Sequence, residues 1–230
     1  MSKKTKEQQP DGFENVQETL NKAELFVEKN KKILTYTVIG IFVVVALFFT
    51  VKRFYLEPKN IEASGAMYVA EQYFQQDSFS LALNGDGNYL GFLDVINDYK
   101  FTKASNLANY YAGLCYMYVG SYDNAIKYLK KFKSDDLTLS AVSLGVIGDA
   151  YVEMGDIKKG TSYYKKAADK VDNNFTSPIY LNKAAQACEK EGNYKEAKSL
   201  YSTIKEKYPD SQEAVNAEKN IEKIEIILSK

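Results

Sequence analysis

The chain has 230 residues, 45% of them apolar, which is enough for one or two ordinary domains and too apolar for wholesale disorder. Thirty Lys plus Arg against thirty Asp plus Glu leave no net charge, so the electrostatic footprint of a nucleic-acid-binding protein is missing. Histidine is absent, which removes the commonest general base and metal ligand, and two cysteines without Cys-x-x-Cys spacing exclude structural zinc and a disulfide framework.

Residues 1–32 form a basic arm carrying Lys3, Lys4, Lys6, Lys22, Lys29, Lys31 and Lys32. Phe13, Val16, Leu20, Ala23 and Val27 recur at spacings of three and four, predicting an amphipathic helix over 13–27. That helix either associates with itself or a partner, or rests at the lipid headgroups. Residues 33–51 (ILTYTVIGIFVVVALFFTV) carry no charge. As a helix they span roughly 28 Å at 1.5 Å per residue, close to the hydrocarbon core of a bilayer. Lys31-Lys32 and Lys52-Arg53 bound the run abruptly, and no small-x-small site follows it, so an uncleaved membrane anchor fits better than a signal peptide. The lysine excess before the run predicts a cytoplasmic N-terminus, with the remainder of the chain across the membrane. Residues 52–60 read as a linker in which Pro58 ends any continuing helix.

Beyond the linker the chain reads as paired helices. Three segments place Gly at a helix–helix turn with an apolar residue two positions later: Gly120-Ser121-Tyr122, Gly155-Asp156-Ile157 and Gly192-Asn193-Tyr194. Their intervals are 35 and 37 residues, and such periods mark repeat architectures. Aligned on these turns, 106–140 carries Gly113, Tyr116, Ala125 and Leu129, and 141–177 carries Ile147-Gly148, Tyr151, Gly160 and Tyr164. The third copy, 178–210, carries Ala184-Ala185, Ala197, Tyr201 and Pro209, with Cys188 in place of the first-helix Tyr. Residues 61–105 fit the same register as a degenerate copy, with Ala66, Tyr73, Phe79 and Ala82 in place, Asp77 where the turn Gly belongs, and the loop 84–88 inserted. Residues 211–230 predict a polar capping helix started by Ser211. Cys115 and Cys188 fall on first helices two repeats apart, too distant for a disulfide.

This pattern of small and aromatic positions resembles the tetratricopeptide-repeat (TPR) family. The fold class it implies is all-α: one N-terminal transmembrane helix, then a solenoid of helical hairpins with a C-terminal capping helix. In that family the first helices line a concave face that binds a peptide or helix. By register, the corresponding positions are Tyr110, Leu114, Met117 and Tyr118, then Asp149 and Glu153, then Asn182, Gln186, Glu189 and Lys190. The family's carboxylate clamp of Lys, Asn and Arg is not reproduced, which argues against an adaptor for acidic C-terminal tails. No catalytic constellation is visible: Asp149 with Glu153, and Asp135-Asp136, lack the further groups that a metal or acid–base site needs. The chain is therefore expected to be neither an enzyme nor a binder of cofactor, metal, nucleic acid or small-molecule substrate. Its expected partners are proteins or peptides, with the lipid bilayer contacted through 33–51. The arrangement is similar to periplasmic TPR proteins of the ancillary translocon-subunit type, anchored in the inner membrane. It implies a scaffold in the bacterial envelope working with secretion or chaperone machinery, the alternative being a structural subunit of an envelope or outer-membrane assembly complex.

Overall fold

The computed structural model of the protein describes residues 12–229, with side chains at Lys22 and from Glu24 onward. Lys3, Lys4 and Lys6 lie outside the described residues, as do the side chains of Phe13, Val16, Leu20 and Ala23 from the proposed amphipathic stripe. The chain divides into two units, Met1–Tyr55 and Leu56–Lys230.

In the first unit, α1 runs from Gly12 to Val51. No side chain between Ile33 and Val51 is buried, and this is the one helix among the described residues that is long and apolar enough to cross a membrane. Its polar groups close on the helix itself: the hydroxyls of Thr35, Thr37 and Thr50 each donate to the carbonyl four residues earlier at 2.8 Å. Lipid requires such internal pairing, because it supplies no water to satisfy a hydroxyl.

The expected linker 52–60 is helical. Lys52–Leu56 form a π-helical turn, and α2 (Glu57–Gln75) begins directly after it. Pro58 occupies the first turn of α2, which follows the π-helical turn without a break, Leu56 between them keeping helical φ −75° and ψ −38°. The helix runs on past Pro58 to Gln75, against the expectation that proline would end it.

The second unit continues with α3 (Phe79–Asn84), α4 (Phe92–Asp98), α5 (Lys103–Tyr118), α6 (Tyr122–Leu129), α7 (Leu137–Glu153) and α8 (Ile157–Val171). It ends with α9 (Thr176–Lys190), α10 (Tyr194–Lys207) and α11 (Gln212–Leu228). No strand occurs among the described residues. The hairpin turns share one geometry. At α5 the Ser121 N–H bonds the Tyr116 carbonyl at 2.8 Å and the Gly120 N–H bonds that of Met117 at 3.1 Å, with Gly120 at φ +74°. Gly155 and Gly192 repeat this, at φ +80° and +78°. This is the Schellman ending of a helix, whose left-handed residue favours Gly. Asp77 makes the same turn at φ +56°, with Ser78 N bonded to Tyr73 O at 2.9 Å, so the degenerate copy keeps the geometry without the glycine.

Restarts are capped by polar side chains. Thr102, Asp136, Asp156, Asn193 and Ser211 accept backbone N–H bonds at the starts of α5, α7, α8, α10 and α11. The second helix of the degenerate copy is split into α3 and α4 around the inserted loop, where the Asp86 carboxylate accepts from Asn88 N, Tyr89 N and the Tyr73 hydroxyl at 2.8–2.9 Å.

Packing follows the small residues. A Cβ on Gly113 would stand 2.5 Å from Leu129, and one on Gly160 would stand 2.5 Å from Val152, so each hairpin closes where a side chain is missing. Tyr201 is wholly buried against the equivalent Ala185 region. Continuous buried clusters join α2 to α5 through Phe92, Val95 and Cys115, and join α7 to α11 through Tyr164, Cys188 and Ile224. Both cysteines are buried and unbridged. The first helices α2, α5, α7, α9 and α11 lie side by side, each touching the next.

Candidate functional site

Three neighbouring first helices, α5, α7 and α9, enclose a depression of about 240 Å³. Met117 comes from α5, Asp149, Val152 and Glu153 from α7, and Lys183, Gln186, Ala187 and Lys190 from α9. Tyr164 reaches it from α8, and the route is opened by a glycine. A Cβ on Gly148 would lie 2.6 Å from the Tyr164 ring. With no side chain there, the ring lies across α7 and its hydroxyl donates to Asp149 Oδ1 at 2.7 Å. Lys183 Nζ donates to both oxygens of the same carboxylate, at 2.9 and 3.0 Å.

Asp149 therefore accepts from two helices at once, and the charge of the groove wall is neutralised locally. Burial, followed by the hydrogen bond to Asp149, pushes the Tyr164 phenol well above its ordinary value. It stays a donor at every physiological pH. Tyr180, whose ring fills the space a Cβ on Gly145 would need, is pushed up to about 12 by burial and then by the Asp149 charge. What remains free on the wall is Glu153, Gln186 and Lys190, all exposed, beside the apolar Met117, Val152 and Ala187. This surface offers amide, acidic and basic contacts around an apolar floor. Among the described residues no group of three or more Cys, Asp and Glu is placed to hold a metal ion.

Of the ten positions expected to line the concave face, Met117, Asp149, Glu153, Gln186 and Lys190 come together here. The others do not. Tyr118 is exposed, but its ring stacks on Phe79 at 4.2 Å, at the end of α5. Tyr110 is half-buried against Tyr111 and Phe132. Leu114 is half-buried on α5. Asn182 is half-buried, and its Oδ1 has no hydrogen-bond partner. Glu189 turns to the other side of α9, where it accepts from the Tyr201 hydroxyl at 2.7 Å and from Lys223 Nζ at 2.9 Å.

Sequence reasoning missed Val152, Tyr164, Lys183 and Ala187. Lys183 carried a usable signal: a cation one repeat beyond an acid, as Lys223 is to Glu189, with 34 residues separating each pair. Tyr164 carried none in isolation, because its reach depends on the gap at Gly148. A larger depression, about 440 Å³, lies between α6, α7 and α8 and is rimmed by Lys130, Lys133, Lys166 and Lys170.

Comparison with known proteins bears on the repeats alone. Residues 107–136 and 180–211 match one family model described as tetratricopeptide repeat, and residues 141–169 match a second of the same description. Among curated proteins, no match to the chain is found.

Proposed function

The repeats between residues 107 and 211 are tetratricopeptide repeats, and on that premise we propose that the chain is a membrane-anchored scaffold that grips a protein segment in the groove of α5, α7 and α9. Repeats of this family are protein–protein interaction modules and generally non-catalytic. The observation that carries the reading is the groove itself. An Asp149–Lys183–Tyr164 network fixes its wall, while Glu153, Gln186 and Lys190 stay exposed above an apolar floor. A rigid wall with uncommitted polar groups binds at low ordering cost.

The anchor is the apolar run 33–51, with the repeats in the periplasm and the N-terminus in the cytoplasm. The lysine bias of the arm supports that orientation, and a run in which no side chain is buried supports the anchor. Within the bacterial envelope the partners are proteins of the secretion or chaperone machinery or their clients. The alternative is one fixed partner in an envelope or outer-membrane assembly complex.

The test uses the full chain extracted in mild detergent, with Gln186→Arg and Lys190→Glu made together. Both side chains are exposed and neither takes part in a hydrogen bond or ion pair among the described residues, so the helices are expected to melt as in the wild type. Recovery of the co-purifying partner should fall at least about tenfold, the equivalent of ~1.4 kcal/mol. Undiminished recovery removes the groove from the account. Recovery of one partner at a fixed ratio, in place of many clients, favours the assembly-complex alternative. Protease added to spheroplasts should cleave the repeats, and their protection would reverse the orientation.

A further inference from the structure

Each first helix begins beside an exposed apolar side chain. Ile61 lies four residues into α2, Phe101 two residues before α5, Leu137 at the start of α7, Phe175 one residue before α9 and Val215 in the first turn of α11. The intervals are 40, 36, 38 and 40 residues, one per repeat. Single exposed apolar residues are ordinary on a protein surface; a row in register with the repeat is not. Phe101 and Phe175 are 90% and 83% exposed, and Phe101 holds φ +69°, a conformation that a bulky residue rarely adopts. Neither ring contributes to the solenoid's buried clusters.

These helix starts share one edge because each hairpin turn reverses the chain and each return loop reverses it again. Hydrogen bonds between the starts fix the alignment. Asn60 of α2 accepts from the Ala104 N–H at 3.1 Å, and the Tyr99 hydroxyl donates to Glu62 at 3.0 Å. Asn106 of α5 and the backbone of Lys133 exchange bonds at 2.7 and 3.0 Å. Exposed lysines stand beside two members of the row: Lys100 and Lys103 flank Phe101, and Lys131 and Lys133 precede Leu137, while exposed Asp98 lies three residues before Phe101 and exposed Asp172 three before Phe175. Asp135 and Asp136 share the stretch, with Asp136 engaged in capping α7. Aromatic rings interleaved with lysine are what a membrane–water interface selects, and each lysine near an anionic surface adds to the attraction. The chain enters this unit at Leu56, at the start of α2 and so on this edge, five residues after the apolar run ends at Val51.

We propose that this edge rests on an anionic bilayer, with the Phe101 and Phe175 rings in the headgroup zone and Lys100, Lys103, Lys131 and Lys133 against lipid phosphates. The inference rests on the reading of 33–51 as a membrane anchor. Because the chain contains no tryptophan, single Trp residues report position without background. Phe101→Trp, Phe175→Trp, Tyr118→Trp and Val44→Trp are each made in the full chain and reconstituted into phosphatidylcholine vesicles with and without phosphatidylglycerol. Quenching by lipids brominated near the headgroup end of the acyl chain is then measured. Trp at 101 and 175 should be quenched and blue-shifted in the anionic vesicles, and should lose at least half of that quenching without phosphatidylglycerol or with Lys100→Glu and Lys103→Glu. Trp at 118, at the far end of α5, should stay unquenched. Quenching at 44 without quenching at 101 and 175 overturns the edge proposal and leaves the anchor standing. No quenching at 44 overturns the anchor, and the edge proposal with it. Quenching at 101 and 175 that ignores lipid charge overturns the role given to the lysines.

Discussion

Gly145 and Gly65 sit inside helices, and their surroundings assign them opposite consequences. A Cβ at 145 would stand 2.0 Å from the Tyr180 ring, which is nearly buried and has nowhere to move, whereas a Cβ at 65 meets nothing within 4 Å. Gly145→Ala should therefore cost about 1–3 kcal/mol through overpacking, and Gly65→Ala should stabilise by about 0.5–1 kcal/mol through helix propensity. Urea denaturation of the two variants checks the contrast. The titratable residues add a pH signature. Burial raises Cys115 from 9.0 to about 12 and Tyr180 from 10.0 to about 12, and it pushes Tyr164 and Tyr201 upward as well. Each folded-state value lies above the unfolded one, so their contribution is complete below pH 9 and is lost as pH rises from 9 through 12. With no histidine to titrate, melting temperature should be flat from pH 6 to 8 and fall steeply between pH 10 and 12. Flat melting through pH 12 would show that these groups ionise without leaving the core.

At the scale of elements, the turns were legible because a Schellman ending needs a residue in the left-handed region, and glycine at regular intervals announces it. Gly155→Ala, open to solvent on all sides but held at φ +80°, should cost about 1–2 kcal/mol. Asp77→Ala should cost less than half of that, because Asp77 already carries a Cβ through the same turn. Equal losses in denaturant titrations would contradict this account of the hairpins. Pro58 and the split second helix of the first copy were harder to foresee for opposite reasons. Proline reads as a helix end by chemistry alone, yet here a π-helical turn precedes it and the helix continues to Gln75. The loop around Asp86 was visible as a glycine-rich insertion, but its geometry, with α3 and α4 on either side, depends on a carboxylate that gathers three donors from Tyr73 to Tyr89.

Across the second unit, stability passes from repeat to repeat. Tyr164–Asp149–Lys183 and Tyr201–Glu189–Lys223 each tie a second helix to its own first helix and to the next first helix. No repeat of this kind buries its apolar face alone. A chain ended after Asp210 would uncover Ile204 and Tyr201 and remove Lys223. Such truncation should lower the urea midpoint and spread the transition, as loss of a cap does in a one-dimensional array. The same long-range logic sets how much of the groove could be read in advance. Register alone selects Met117, Asp149, Glu153, Gln186 and Lys190, which meet in one depression. It also selects Tyr118 and Glu189, which the aromatic stack on Phe79 and the bond to Lys223 draw elsewhere. Those diversions involve residues from 34 to 39 positions away, beyond the reach of a local pattern.

The most direct measurement places a photo-reactive amino acid at Gln186, on the groove, and in a second strain at Ser162, exposed on α8, and compares the protein adducts formed in intact cells. The account predicts discrete adducts at 186 that are weak or missing at 162 and that disappear with Lys190→Glu. Equal adducts at both positions, or adducts at 162 alone, would contradict a groove-centred scaffold and move the binding surface to the outer helices.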